Sequence, residues 1–597
     1  MKKTGFIIIM SIISSVVAAL PVQWDFFQYT VKEDKNVVTP EIKNGKLYLA
    51  DGKIISPVKI KAENNFFDFN KLAKGNNHAV LRTVFNCENA RQTHIGIGGL
   101  AFAIELNGKI IYDFRRKGLG NDYDPVSVND HVIPLEFKKG ENTLTVYSCR
   151  TNWLLDFCYG ANREIKWDLA IAEIKDFKSV KAELAGTEIL LRPTAESILF
   201  SFITKEPVHA GIDYREAGSA KWQRVWDLAG DLVLRNDRRN HVIRLEELKP
   251  GTCYEYRIVM LEPVNYVEPR SLWTARNYQE VFTEVKEFST PGGGDLKFFV
   301  FGDTQLSLSE NCSTIAQRDV FMDKMKSADG FKNADFIVHV GDLTSYYHSV
   351  EKNLFQDFFY KFKFGKTVKP WIYVRGNHEL NGIGAVQWHD YFMMPDEKPY
   401  YSFKVDDVYF IVLACSDFSK GLNASNGPVI SPDTMVRKQR AWLEKVVKND
   451  EFKKAKFRIV LSHTAPQLEN SESVVREIQE IIEPLKDELI HFWIAGHSHY
   501  YWRMFKGSDI LYSRNEWKKA PAYAAAKFNW ITLDGPKGSN SKPDFSYLTV
   551  NIKNGIIQAV VTDEDGKLID SFNIDAKGNA VELKRSPDIK PFKLPSE

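Results

Sequence analysis

WIAGHSHYYW, residues 493–502, is an apolar run that stops at a glycine and then sets two imidazoles, His497 and His499, one residue apart. In an extended segment the side chains at i and i+2 point to one side, so this spacing predicts two rings converging on one object. Alone, the pattern fits a metal site and equally a pair of solvated loop histidines. Four other runs end the same way: KFFVFGDTQ (297–305), FIVHVGDLTS (336–345), WIYVRGNHE (371–379) and FRIVLSHT (457–464). One Gly-Asp after a strand is ordinarily a turn. Five such ends in order, separated by helix-sized connections, instead describe strands that deliver ligands at their carboxyl ends.

The residues delivered are Asp303 and Gln305, Asp342, Asn377 with His378 and Glu379, His463, and His497 with His499. Carboxylates, amides and imidazoles without cysteine suit hard-to-borderline ions such as Fe, Mn or Zn. The set is large enough for two ions.

The intervening segments support α/β units. IAQRDVFMDKMKSA (315–328), NLFQDFFYKFKF (353–364) and RKQRAWLEKVVKND (437–450) read as helices between strands, behind a Pro/Gly hinge, STPGGGD (289–295). Upstream the texture is all β. From 20 to 177, runs such as GLAFAIELNGKIIYDF (99–114), DHVIPLEF (130–137) and GENTLTVYS (140–148) alternate and break at Asn107-Gly108 and Lys139-Gly140, predicting an antiparallel sandwich. A second β unit, 178–290, contains LEELKPGTCYEYRIVM (245–260), a Pro-Gly turn followed by a Tyr-rich alternating strand. The expected architecture is therefore multidomain: two N-terminal all-β sandwiches, then an α/β domain over 291–575, and a C-terminal tail, 576–597.

Composition fits a soluble globular chain. Of 597 residues, 44% are hydrophobic and 26% charged, and 79 basic against 77 acidic side chains leave a net charge of +2. That balance supplies no concentrated positive field for nucleic acid or an anionic membrane. Lys2 and Lys3, an apolar run and small residues near Ala18 and Ala19 read as a signal peptide over 1–19. Export to the periplasm or exterior, with no transmembrane anchor after cleavage, is the expectation. Six cysteines (Cys87, Cys149, Cys158, Cys253, Cys312, Cys415) form no CxxC cluster. Cys149 and Cys158 are the nearest pair, and free buried thiols are the alternative reading.

The order GD…GD…GNHE…H…GHxH resembles the calcineurin-like metallophosphoesterases. With the fibronectin type III-like unit before it, the chain looks most like the purple acid phosphatase branch. YFMMPDEKPYYSFKVDDVYFIVLACSD (391–417), QRAWLEKVV (439–447) and SYLTVNIKNGIIQAVVTDEDGKLIDSFNI (546–574) resemble that family's later segments. The likeness spans about 178–574; the first β unit only loosely resembles galactose-binding jelly rolls. The resemblance implies a β-sandwich flanked by helices and a dinuclear centre in which a metal-bridging hydroxide attacks phosphate esters. Asp303 and His499 would hold one ion, Asn377, His463 and His497 the other, with Asp342 bridging. Gln305 stands where relatives carry a histidine, so it would ligate weakly or hydrogen-bond a coordinated water. His378 would protonate the leaving group, its ring oriented by Glu379.

Two positive ions roughly 3.5–4 Å apart explain why such residues are needed: they acidify a water and oppose charge on the phosphoryl oxygens. The chain departs from the purple branch at GDLTSYY (341–347), where Ser345 replaces the tyrosine of GDxxY and Tyr346 comes one residue late. A tyrosinate ligand is therefore not expected. His339, inside a strand, reads as a core residue. His348, His389 and His491 lie close enough to the motifs to contact substrate but read first as solvated or structural; Arg375 reads as a helix-packing salt bridge ahead of a phosphate contact, and Tyr346, Tyr347, Tyr500, Tyr501 and Trp502 as rim packing ahead of a cleft lining. The substrate class is a phosphate ester, with monoesters favoured over diesters. Domain company alone makes a phosphorylated glycan a candidate. A carbohydrate-binding surface protein with a vestigial phosphoesterase domain is the rival reading, and it predicts a lost ligand.

Overall fold

The computed structural model describes residues 20–594, except 22, 32–38, 114–127, 129–130, 151–166, 175–179, 264–265, 268–277, 306–321, 346, 348, 360–364, 395–396, 415–431, 468–471, 515–526 and 536–544. The signal-peptide segment, the start of the 315–328 helix, Cys158, Cys312, Cys415, Tyr346 and His348 lie outside the described residues. Two compact units emerge, one of Met1–Lys181 with Leu261–Glu280, the other of Ala182–Met260 with Val281–Glu597.

The first unit is a β-sandwich, as its alternating runs predict. A six-stranded antiparallel sheet supplies Leu81, Ile104 and Val146 to the core, and a five-stranded one supplies Ile97, Ile133 and Leu169. The Asn107-Gly108 turn has φ of 52° and 84°, the left-handed pair that a two-residue hairpin needs and that Asn and Gly tolerate.

In the second unit, residues 182–260 and 281–289 supply two facing sheets. Phe200, on strand Ile198–Ile203, meets Tyr256 at 4.9 Å and Phe288 at 5.7 Å on the opposite sheet. After the Pro250-Gly251 turn, the Tyr254 hydroxyl accepts the Lys249 N–H at 2.8 Å, fixing the entry to strand Cys253–Pro263. The strand Ile189–Leu191 also pairs in parallel with Trp371, so this sheet runs on into the next.

The remainder is a second sandwich with helices outside. Its first sheet contains β1 (Leu296–Phe301), β2 (Phe336–His339) and β3 (Trp371–Tyr373), mutually parallel. Its second contains β4 (Phe457–Leu461) and β5 (Phe492–Ala495), parallel to each other and to Trp530–Thr532. Inward side chains, among them Phe298, Val300, Val338, Ile372, Phe410, Ile459 and Ile494, form one core between the sheets. Outward ones pack under helical cover: Phe299, Ile337 and Trp371 against Met325 and Phe355, Val460 and Trp493 against Leu443 and Ile481. Burial on both faces explains why these strands read as unbroken apolar runs.

The stretch set apart as a C-terminal tail closes both sheets. Ala580–Arg585 pairs with Leu568–Asp575 in the first, and Lys590–Lys593 with Ile510–Ser513 in the second.

Phe410 is fully buried and stacks on Phe403 at 4.8 Å, with Phe298 and Phe336 edge-on. Phe410→Ala is expected to destabilise this sandwich by about 3–5 kcal/mol in denaturant titration.

Candidate metal centre

The carboxyl ends of all five strands converge at one edge of the sandwich, three from the first sheet and two from the second. The backbone there is not extended. Asp303, Gln305, Asp342, His497 and His499 have φ of 50°, 37°, 58°, 67° and 55°, a region non-glycine residues seldom occupy. The chain turns sharply at each of them, and the turn aims the side chain back across the strand ends. Such strain persists only where surrounding contacts enforce it. The i, i+2 expectation for GHSH is accordingly corrected: a left-handed bend, not a pleat, sends the two rings to different partners. His497 Nδ1 lies 2.9 Å from Asn377 Oδ1 and 3.2 Å from His463 Nε2, whereas His499 Nε2 lies 3.7 Å from Asp303 Oδ1.

The motif glycines are required by close approach. A Cβ on Gly376 would stand 2.3 Å from Asp342 Oδ1, and one on Gly496 would stand 2.2 Å from Asp303 Oδ2.

Asp342 occupies the middle of the cluster. Its Oδ2 lies 3.2 Å from His463 Nε2 and 3.8 Å from His378 Nε2, and its Oδ1 accepts the His378 N–H at 2.8 Å. Gln305 donates its amide nitrogen to Asp342 Oδ2 at 3.1 Å, so its place here is that of a hydrogen-bond donor to the central carboxylate. Asp303, also buried, takes the His497 N–H on both oxygens at 2.9 Å.

Backbone carbonyls, which can only accept, settle the imidazole tautomers. His463 Nδ1 lies 2.7 Å from the Val340 oxygen, so Nδ1 carries hydrogen and Nε2 faces Asn377 and Asp342. His378 Nδ1 lies 2.8 Å from the Ser345 oxygen, which turns Nε2 toward Asp342. Ser345 and Asn381, whose amide nitrogen is 3.2 Å from His378 Nδ1, therefore orient this ring. Ser345 also donates its hydroxyl to the Gln305 oxygen at 2.9 Å.

Glu379 does not contact the His378 ring, contrary to the sequence expectation. Fully buried, it accepts the N–H groups of Gly376 (2.7 Å), Asp342 (3.0 Å) and Leu343 (3.0 Å) and the hydroxyls of Tyr347 (3.1 Å) and Tyr373 (2.5 Å). It ties the loops after β2 and β3 together. Tyr347 is thus part of this hub, not rim packing.

These donors fit a cation. Asp342, His463 and His497 present ligand atoms all within 4.8 Å of one another, and the Asn377 oxygen sits among them. Without metal, a proton takes the cation's part. Burial opposes a charged His463, yet the adjoining Asp342 carboxylate, with Asp303 and Glu379 beyond, pushes its pKa up to about 10. Burial likewise works against ionised Asp342, but His463, then His378 and His497, hold it well below the usual carboxylate range.

His339 and His491 are structural. His339 is core, pushed down to about 3 by burial, with Nδ1 accepting the Gly341 N–H. His491 bridges Arg458 N–H and the Ala576 oxygen. Tyr501 is buried in the core between the sheets and Trp502 under the helical cover of the second sheet, so neither is rim packing. One contributor escaped the sequence reading: a sixth strand end, WITLDG (530–535), places Gly535 so that a Cβ would stand 2.4 Å from the Asp303 Cβ. Its apolar run ending in a polar residue is like the other five, although Asp534 precedes its glycine instead of following it.

Two expectations follow. Glu379→Gln puts an amide donor among five donors, so it should lower stability by about 2–4 kcal/mol and reduce bound metal in the purified protein. In chelator-treated protein the His463–Asp342 pair stabilises fully between the ordinary values 3.8 and 6.5. That contribution fades as pH rises toward about 10, where folded His463 loses its proton, and as pH falls through Asp342's depressed value. Metal loading reverses the upper limb because it needs neutral His463. Zinc titration of apo-protein at pH 8 should release protons, and a titration without release would contradict the assignment of His463.

The family model for calcineurin-like phosphoesterases matches residues 296–501. No curated protein matches the chain. Among solved structures, a purple acid phosphatase from yellow lupin (Lupinus luteus) seeds is 13% identical, covering 83% of this chain and 93% of its own, at a TM-score of 0.46. PhoD is 10% identical, covering 69% of this chain and 94% of its own, at 0.43. A predicted phosphoesterase from Streptococcus pneumoniae TIGR4 is 10% identical, covering 49% and 99%, at 0.21. Residues 296–501 are a calcineurin-like phosphoesterase domain, and the chain that carries them is a metal-dependent phosphoesterase.

Proposed function

We propose that the chain is an exported phosphomonoesterase with a dinuclear centre, Asp303 and His499 serving one ion, Asn377, His463 and His497 the other, and Asp342 both. The carrying observation is the central position of Asp342, between His463 Nε2 at 3.2 Å and His378 Nε2 at 3.8 Å. Two ions in this donor set would activate water and oppose the charge on the phosphoryl oxygens. The chain's own residues supply the rest. With Nδ1–H held by the Ser345 carbonyl and the ring 26% exposed, His378 presents Nε2 to solvent beside the cluster. A proton there reaches the leaving-group oxygen as the ester bond breaks. Gln305 and the His378 N–H hold the Asp342 carboxylate in one orientation.

Every motif ligand is intact, which weighs against a vestigial domain. The preference for monoesters rests on the motif resemblance, and export on the Lys2-Lys3 apolar leader. Within the described residues no helix is long and apolar enough to cross a membrane. Residues 178–290 are read as a fibronectin-like unit on the strength of the Tyr254 hydroxyl contact after the Pro-Gly turn.

Metal analysis of purified protein should find two ions per chain, and p-nitrophenyl phosphate should be cleaved faster than bis-p-nitrophenyl phosphate. Asp342→Ala should lose metal and activity together. His378→Ala should keep metal while kcat falls about 10²–10⁴-fold. Two bound ions with neither ester cleaved would overturn the enzyme reading; faster diester cleavage would replace monoesterase with diesterase.

A further inference from the structure

Three arginines are buried among the described residues, and two of them are paired. Arg503 lies on Asp570 and Glu582, and Arg192 on Glu397. Arg375, the third, was expected in a packing salt bridge, and the structure shows none. It is 8% exposed, and neither a hydrogen bond nor an ion pair reaches it from the described residues. Its Nε is sealed from solvent without a partner, so the exposure it retains falls to the Nη groups. Its contact is the buried Trp388 ring, 5.9 Å from the guanidinium carbon.

A buried charge is costly unless paired, so an unpaired guanidinium asks for a counter-ion. Glu379 is the acid whose charge reaches it, yet both Glu379 oxygens are taken by five other donors. A guanidinium does not give up its proton in a protein, so the group is cationic at neutral pH. Its charge is felt nearby: after burial, Arg375 is the largest influence pressing the His389 pKa downward, with Asp390 opposing it and Lys398 and Arg192 adding to it. Arg375 stands two residues before Asn377, which keeps their Cα atoms within about 7 Å.

We propose that Arg375, backed by the Trp388 ring, docks a second acidic group of the substrate, carried on the same small molecule as the scissile phosphate. The guanidinium fork matches a carboxylate or a phosphate with two parallel hydrogen bonds. The substrate half of this proposal rests on the phosphoesterase reading; the anion site does not.

The test uses Arg375→Met, which keeps the length of the side chain and removes its charge. First, thermal midpoints of chelator-treated wild type and variant are followed against sodium sulfate at fixed ionic strength. The expected result is a saturable rise in the wild type that the variant lacks, with the variant at least as stable in sulfate-free buffer. A variant that is destabilised yet responds to sulfate as wild type does would make Arg375 a counter-charge for Glu379 and overturn the proposal. Second, phosphate release from 3-phosphoglycerate and glycerol 3-phosphate is compared on metal-loaded protein. The wild-type ratio of kcat/KM should favour the carboxylated ester and fall on the order of tenfold in the variant. An unchanged ratio overturns the substrate half. If wild type cleaves neither ester while the sulfate response still depends on Arg375, the phosphoesterase reading fails and the anion site stands.

Discussion

The carboxylate of Glu379 accepts three backbone N–H groups and two tyrosine hydroxyls in a volume closed to water, and the metal-ligand loops are built around it. A buried charge is tolerable only when its lone pairs are satisfied, and here the donors are the loops themselves. The N–H groups of Asp342 and Leu343 come from the turn after β2, that of Gly376 from the turn after β3. The left-handed backbone at Asp342 is held in place by this carboxylate as much as by the strand before it. Asn377 and His378, next along the chain, inherit their position.

The sandwich supplies the second constraint. Parallel strands in each sheet carry their carboxyl ends to one edge, and the two edges meet. Helices cover the outer faces, so every strand is apolar on both sides and polar side chains are confined to the ends. Polar donors thus collect where five turns and a sixth, at Asp534-Gly535, crowd together. In that crowd two carboxylates and several imidazoles need a cation. The proton held by His463 shows the electrostatic demand that a metal would meet.

Much of this was legible in the chain. Asp303, Asp342, Asn377, His463, His497 and His499 were all identified from strand-end grammar, and the structure gathers them. For GHSH the residues and their division between Asp303 and Asn377 were expected, while the extended backbone was not found, because a positive φ cannot be read from histidine as it can from Asn-Gly. Glu379 and Arg375 were misassigned in detail because what surrounds them comes from other loops. Gln305 gives its amide nitrogen to Asp342, Glu379 accepts from backbone N–H groups and two tyrosine hydroxyls, and among the described residues no acid pairs with Arg375. Ser345 turns the His378 ring through its carbonyl oxygen, an atom every residue owns, so that contact carried no signal in the sequence.

The amino-acid sequence by itself determined which side chains stand at strand ends, in what order, and how the apolar runs alternate. Those are local properties of period and spacing, and they suffice for the fold class and the donor inventory. Tertiary structure alone decided which atoms face one another: Nε2 rather than Nδ1 on His463, the carbonyl that turns His378, the five donors on Glu379 and the Trp388 ring against Arg375. Hydrogen bonds and charge compensation are settled between segments distant in the chain. Their distances are set by how two sheets pack, which no single stretch encodes.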